Sequence, residues 1–203
     1  MYARPMSDVR RATREDAARL AEVLADAFED DPLSKWLFIQ DDGLRERLRR
    51  SFDALLNRVY LPKGQTFTTA DLAGCAMWAP PGKWKLSVLQ QLRLAPLMLR
   101  LMPSASLRNG SRMQVQVEKA HPSDPHWHLS VLGVDPARQR TGVGTSLMRP
   151  ILDRADADRV LCHLETSKEE NLAYYARQGF EIHNELELPD GAPRVWTMTR
   201  RPL

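Results

Sequence analysis

Short β-prone apolar runs and stretches with helical periodicity alternate along the chain. Residues 9–12 predict a first strand. Thr13, with Asp16 three residues on, comes close to a capping box and opens a helix in which Leu20, Val23, Leu24, Ala27 and Phe28 share one face. That helix is expected to end near Asp30-Asp31-Pro32. A second amphipathic helix from Gly43 carries Leu44, Leu48, Phe52, Leu55, Leu56, Val59 and Tyr60 on one face and arginines on the other. Residues 65–69 and 75–79 bracket the turn-like tetrad Asp71-Leu72-Ala73-Gly74 and predict an antiparallel hairpin, ended by Pro80-Pro81-Gly82. Two helical segments follow at 85–102, broken or kinked at Pro96, and at 104–119. The polar loop His121-Pro122-Ser123-Asp124-Pro125 leads into a strand at 127–134, a turn at 135–141, a helix from Gly142, a strand at 160–166 and a helix at 169–178. Strands at 180–188 and 194–199, separated by Pro189-Asp190-Gly191-Ala192-Pro193, close the pattern. The expectation is an α+β fold in a single domain over residues 1–203. The helical insertion before the central strand is a natural place for substrate selection.

With 203 residues, 43% apolar and 27% charged, the chain is long enough for a sizeable core and too apolar for a disordered class. Net charge is +3, with the arginines dispersed. No concentrated basic stripe of the kind that nucleic acid demands is visible, while mild positive charge suits a polyanionic cofactor. Cys75 and Cys162 fall in apolar strand runs and read as buried thiols, and no metal-ligand spacing is apparent. The opening Met1-Tyr2-Ala3-Arg4-Pro5 has no apolar export segment, and the greasiest run, 94–102, is too short to span a bilayer. The expectation is a cytoplasmic protein without membrane or nucleic-acid partners, as a monomer or homodimer.

The chemistry concentrates between residues 127 and 180. Gln139-Arg140-Thr141-Gly142-Val143-Gly144 lies where a strand hands over to a helix. The unpaired amides of a helix N-terminus there make a phosphate cradle, which the two glycines let a ligand approach. Alone, such a turn also serves mononucleotide and dinucleotide folds, or is only a tight turn. The second constellation is Asn171-Leu172-Ala173-Tyr174-Tyr175-Ala176-Arg177-Gln178-Gly179-Phe180. Tyr175 stands four residues before the glycine that ends the helix. Its phenol is placed to protonate a leaving thiolate, and Asn171, one turn earlier on the same face, can hydrogen-bond a bound cofactor. Tyr174 reads as a core aromatic.

At this spacing the two constellations resemble the GNAT superfamily of acyl-CoA-dependent N-acyltransferases. The resemblance implies the GNAT fold: a central, mixed, mostly antiparallel twisted sheet of six to seven strands flanked by helices. It implies acetyl-CoA as cofactor, its pyrophosphate on Gln139, Arg140, Thr141, Gly142, Val143, Gly144 and Thr145, its pantetheine paired with the splayed strand at Leu132, Gly133 and Val134, and a contact from Asn171. Across nearly the whole chain, the runs at 9–16, 27–28, 164–167 and 196–200 are similar to the branch that acetylates the aminonucleoside antibiotic puromycin. One departure is Asp31, where that branch has an aromatic; an anion there favours a more cationic or smaller acceptor. Phe28, Asp31, Trp127 and His128 are candidate acceptor-pocket residues.

The implied reaction moves an acetyl group to a primary amine of a small molecule. An α-amino group has a pKa of about 7.7 to 8.0, so a base must act first. Glu165 is the expected base, with a pKa raised by partial burial, and His128 is the second candidate; Tyr175 is the expected acid. No metal is expected. Two other readings are a coenzyme A sensor on the same fold, which would have no use for Glu165 and Tyr175 together, and an enzyme with a protein or peptide amine acceptor. A mononucleotide-binding domain is disfavoured by the missing G-K-S/T ending.

Overall fold

All six residues of the strand Gly74–Ala79 are buried, as a strand covered on both faces requires, and the other elements are arranged about it. A computed structural model describes residues 8–188 and 191–203. The opening Met1 to Pro5 and the loop residues Pro189 and Asp190 lie outside the described residues. In chain order the elements are β1 (Val9–Arg11), α1 (Ala17–Phe28), α2 (Pro32–Leu37), α3 (Leu44–Leu55), β2 (Thr66–Thr69), β3 (Gly74–Ala79), α4 (Val88–Leu101), α5 (Ser104–Ala120), β4 (His126–Val134), α6 (Val143–Asp158), β5 (Leu161–Thr166), α7 (Glu170–Ala176), β6 (Glu181–Leu186) and β7 (Val195–Arg200). The seven strands form one sheet in the order β1-β2-β3-β4-β5-β7-β6. Every pairing is antiparallel except β4 with β5. This is the expected mixed, mostly antiparallel sheet, and α4 and α5 form the expected insertion before β4.

Side-chain alternation divides the core between the two sheet faces. Cys75, Met77 and Ala79 of β3 pack with α1 and α3; Ala76 and Trp78 pack with α6 and with Trp127, Leu129, Cys162 and Leu164. Along β4 the alternation is interrupted. Met77 pairs with Val131 but Trp78 pairs with Leu129, so Ser130 is an extra residue, a β-bulge. Before it Trp127 and Leu129 face α6. Beyond it Val131 faces the opposite side, and Leu132 and Val134 face α6.

Several boundaries differ from the sequence expectation. Asp31-Pro32 does not simply end α1 but starts α2: Asp31 Oδ2 accepts from the Ser34 amide at 2.8 Å, and Pro32 takes the first turn, where its missing N–H is not needed. α4 begins at Val88, not at 85, because Ser87 and Gln90 form a full capping box, and it runs through Pro96 without ending. α3 continues into a π-helical turn, Leu56–Tyr60.

Thr13 is not the helix cap. Asp16 holds that position, and its carboxylate reaches back to the Thr13 amide at 2.7 Å and accepts two bonds from Arg10 at 2.7 and 2.8 Å. The Arg10 guanidinium holds the Asp16 carboxyl far below the usual range, outweighing burial, and Thr13 adds to the effect. A depressed folded-state pKa contributes stability above the unfolded value of about 3.9 and loses it as pH falls. Asp16→Asn is therefore expected to cost about 1–2 kcal/mol at pH 7, with the difference from wild type shrinking below about pH 4. Denaturant titrations at the two pH values check this, and a pH-independent difference would contradict it.

Candidate active site

Beyond the Leu129 and Leu164 pair, β4 and β5 no longer pair, although β4 remains bonded to β3 as far as Val134. The two strands separate at the bulge, and the resulting cleft holds two cavities.

The first, of about 530 Å³, is lined by Leu132, Gly133 and Val134 of β4, by the turn before α6, and by α7. Gly142 is the N-cap of α6 with φ +93°, a left-handed value that disfavours side chains, and no side chain caps the helix. The first amides of α6 therefore stay available to an anion. A Cβ at Gly144 would lie 2.8 Å from the Tyr174 hydroxyl. A Cβ at Gly133 would lie 2.5 Å from Leu24, so only glycine allows α1 to pack this close. Arg138, Arg140, Lys168 and Arg177 bring positive charge to the cavity, although Arg138 is also paired with Asp71 at 2.8 Å. Gln139 donates to the Val134 carbonyl at 3.2 Å, tying the turn to the end of β4. The site thus fits a phosphorylated cofactor with an extended arm. Gly144, Thr145 and Asn171 line the cavity. Val143 is buried in the core and Thr141 donates to the Arg138 carbonyl at 2.7 Å, so neither side chain faces it.

The second cavity, of about 340 Å³, has walls from Phe28, Leu33, Tyr60, Trp84, His128 and Glu165, among others. Phe28, Asp31, Leu132, Asn171 and Tyr175 line both cavities, so the two adjoin along these residues, Tyr175 among them. Burial pushes the Tyr175 phenol up, so it is protonated at neutral pH. Asp31 sits between the cavities with both carboxylate oxygens engaged, one on the Ser34 amide and the other accepting from Ser167 at 2.9 Å.

Trp127 is a correction. It is 3% exposed, packs in the core under α6 and lines neither cavity, because neighbours on a strand point to opposite faces. His128, the next residue, lines the second cavity. Its Nε2 lies 2.8 Å from Glu165 Oε2 and its Nδ1 lies 3.1 Å from Ser130 Oγ, the residue of the bulge. Tyr60, delivered by the π-helical turn, lines the same cavity as Ser130. The raised pKa expected for Glu165 is reversed: burial raises it, but His128 and His163 outweigh that and hold the carboxyl well below the usual range. His121, stacked on Trp84 at 3.7 Å, places its Nε2 3.5 Å from Glu165 Oε1, and His163 Nε2 lies 3.3 Å from the same oxygen. Burial pushes His121 down to about 4 against the pull of Glu165, and pushes His163 and His126 down as well.

The sequence reading missed Tyr60, Trp84, His121, Ser130 and His163 as site residues. The five histidines of the chain carried a signal only in retrospect: four fall on strands β4, β5 and β6, and His121 caps the end of α5.

Residues 105–180 match the sequence profile of the Acetyltransferase (GNAT) family. An uncharacterized N-acetyltransferase of Schizosaccharomyces pombe is 23% identical over 198 residues, covering 88% of this chain and 76% of the yeast protein. Among solved structures, a Corynebacterium glutamicum protein named as histone acetyltransferase HPA2 and related acetyltransferase has a TM-score of 0.73 at 22% identity, covering 98% of this chain and 97% of its own. The arylalkylamine N-acetyltransferase 2 of Aedes aegypti has a TM-score of 0.65 at 13% identity, covering 95% and 97%. The fold is the GNAT fold, and with the matched segment it defines an acyltransferase.

Gly142→Val forces a branched residue into a left-handed backbone. It is expected to weaken coenzyme A binding by more than about tenfold, or about 1.4 kcal/mol, in a calorimetric titration. Unchanged affinity would mean that the turn is not the pyrophosphate site.

Proposed function

We propose that the chain transfers the acetyl group of acetyl-CoA to a primary amine of a small molecule with an aromatic body, by direct attack in a ternary complex. The observation that carries this reading is that the two cavities adjoin along residues that include Tyr175. One is shaped for a pantetheine arm and a pyrophosphate, and the other is walled by Phe28, Tyr60 and Trp84 with His128 and Glu165 at its side.

In this reading the α6 amides and Arg140 hold the cofactor's pyrophosphate, and the unpaired edge of β4 at Leu132 to Val134 holds its arm. The thioester carbonyl then sits near Val134, where a backbone N–H meets the developing oxyanion. His128 is the base and Glu165 positions it. With His128 Nε2–H donating to Glu165, Nδ1 accepts from the Ser130 hydroxyl, so the amine proton passes to His128 directly or through Ser130. The ionised Glu165 stabilises the imidazolium that forms. The neutral amine attacks the thioester carbon, the C–S bond breaks, and Tyr175 protonates the departing thiolate.

An aminonucleoside such as puromycin combines a primary amine with an aromatic ring and is the first acceptor to test, ahead of simple arylalkylamines. Asp31, engaged on both oxygens, gives less support to a strongly cationic acceptor. Release of free thiol from acetyl-CoA is expected with at least one of these amines. Positioned acid and base groups contribute about 10²–10⁴ in rate. Tyr175→Phe and His128→Ala should each lower kcat within that range while coenzyme A affinity holds. An unchanged kcat in either variant removes that residue from the mechanism, and turnover with arylalkylamines but not puromycin discards the aminonucleoside.

A further inference from the structure

Behind His128 the same carboxylate meets a second group of side chains that acetyl transfer does not use. His121 Nε2 and His163 Nε2 lie 3.5 and 3.3 Å from Glu165 Oε1, and one ligand atom from each of the three residues lies within 4.8 Å of the others. His163 is completely buried, and the His121 side chain is 2% exposed. None of these three atoms has a hydrogen-bond partner, nor has His163 Nδ1 or His126 Nε2. A buried polar atom left unpaired costs about 1–3 kcal/mol, so this group is expensive without something at its centre.

The orientation of the rings says what that something is. His121 Nδ1 lies 3.0 Å from the Val117 carbonyl, and His126 Nδ1 lies 2.8 Å from the Asp124 carbonyl. A carbonyl only accepts, so both Nδ1 atoms carry the proton and Nε2 is the nitrogen of each ring left to bind a ligand; that of His121 faces Glu165 Oε1 at 3.5 Å. A histidine whose outer nitrogen donates to a backbone carbonyl is oriented as metal-bound histidines are.

We propose that His121 Nε2, His163 Nε2 and Glu165 Oε1 form a binding site for a divalent transition ion of the zinc class. The dimensions favour a tetrahedral ion. Ligands at about 2.0–2.1 Å in a tetrahedron stand about 3.3–3.4 Å apart, against about 2.9 Å for octahedral neighbours at that bond length. The two edges to Glu165 are 3.5 and 3.3 Å. Two imidazoles and one carboxylate are a zinc donor set that leaves a fourth position open. His121 and Glu165 also line the acceptor cavity, which gives the ion its path in.

The test is a titration of chelator-treated protein with Co²⁺ as a spectroscopic stand-in for Zn²⁺, followed by displacement with Zn²⁺. One ion per chain is expected, with the strong visible absorption of tetrahedral Co²⁺, and saturating Zn²⁺ should raise the Tm. His121→Phe keeps the ring stacked on Trp84 and removes the donor; His163→Asn removes a second. Each should weaken binding by at least about 100-fold, since losing even a supporting partner of a ligand costs about 10- to 100-fold. His183→Ala, on exposed β6, should leave binding unchanged. Absence of stoichiometric binding, or binding that survives both His121→Phe and His163→Asn, overturns the site. The readouts are metal content, absorption and Tm, so the result is independent of whether acetyl transfer occurs.

Discussion

The separation of β4 from β5 is the constraint on which the rest of the site depends. A parallel pair that stayed bonded to Thr166, the end of β5, would carry the pairing on to Val131 or Leu132 and close the mouth of the cleft. The extra residue Ser130 marks where bonding to β5 stops, while bonding to β3 continues across the bulge. It also reverses the alternation, so that Val131 faces α1 and α3 while Leu132 and Val134 pack toward α6. The same bulge places the Ser130 hydroxyl on His128. One inserted residue thus opens the strand edge, sets the faces on either side of it and supplies a polar contact to the proposed base.

Much of this architecture was legible in the sequence. The β-prone apolar runs and the helical repeats in α1 and α3 located the elements, because each signal is local. The glycine turn was legible for the same reason: strand, left-handed glycine and helix start are contiguous in the chain. The bulge was not, since an extra residue shows itself only against the partner strand. Trp127 and His128 were read together because they are adjacent, yet adjacency on a strand means opposite faces. The α2 cap was missed because Asp-Pro stops one helix and starts the next with the same two residues.

The reading of Glu165 failed in its electrostatics for a related reason. Burial alone raises a carboxyl pKa, and sequence context suggests burial. What reverses the shift is the sheet register, which sets His128 directly beside His163 in the parallel pair, two residues from Glu165 on the same face. His121 then arrives from α5, more than forty residues away in the chain, to stack on Trp84. No local pattern announces such a group. It exists because three elements bring imidazoles to one face of the sheet.

Asp31 shows how the fold can consume a charge that looks available for recognition. Read alone, an anion between two cavities attracts a cationic acceptor. Here one oxygen caps α2 and the other accepts from Ser167, which follows β5. A carboxylate that accepts from a helix amide and a hydroxyl has part of its accepting capacity taken up within the fold, and its charge is partly compensated by the helix N-terminus. Its role is to fix α2 against the loop that leads to α7, and so to hold Asn171 and Tyr175 in register with β4. The negative charge left to meet an amine is then that of Glu165, which reaches the cavity alongside His128. An ammonium drawn into this cavity is drawn toward the residues proposed to remove its proton.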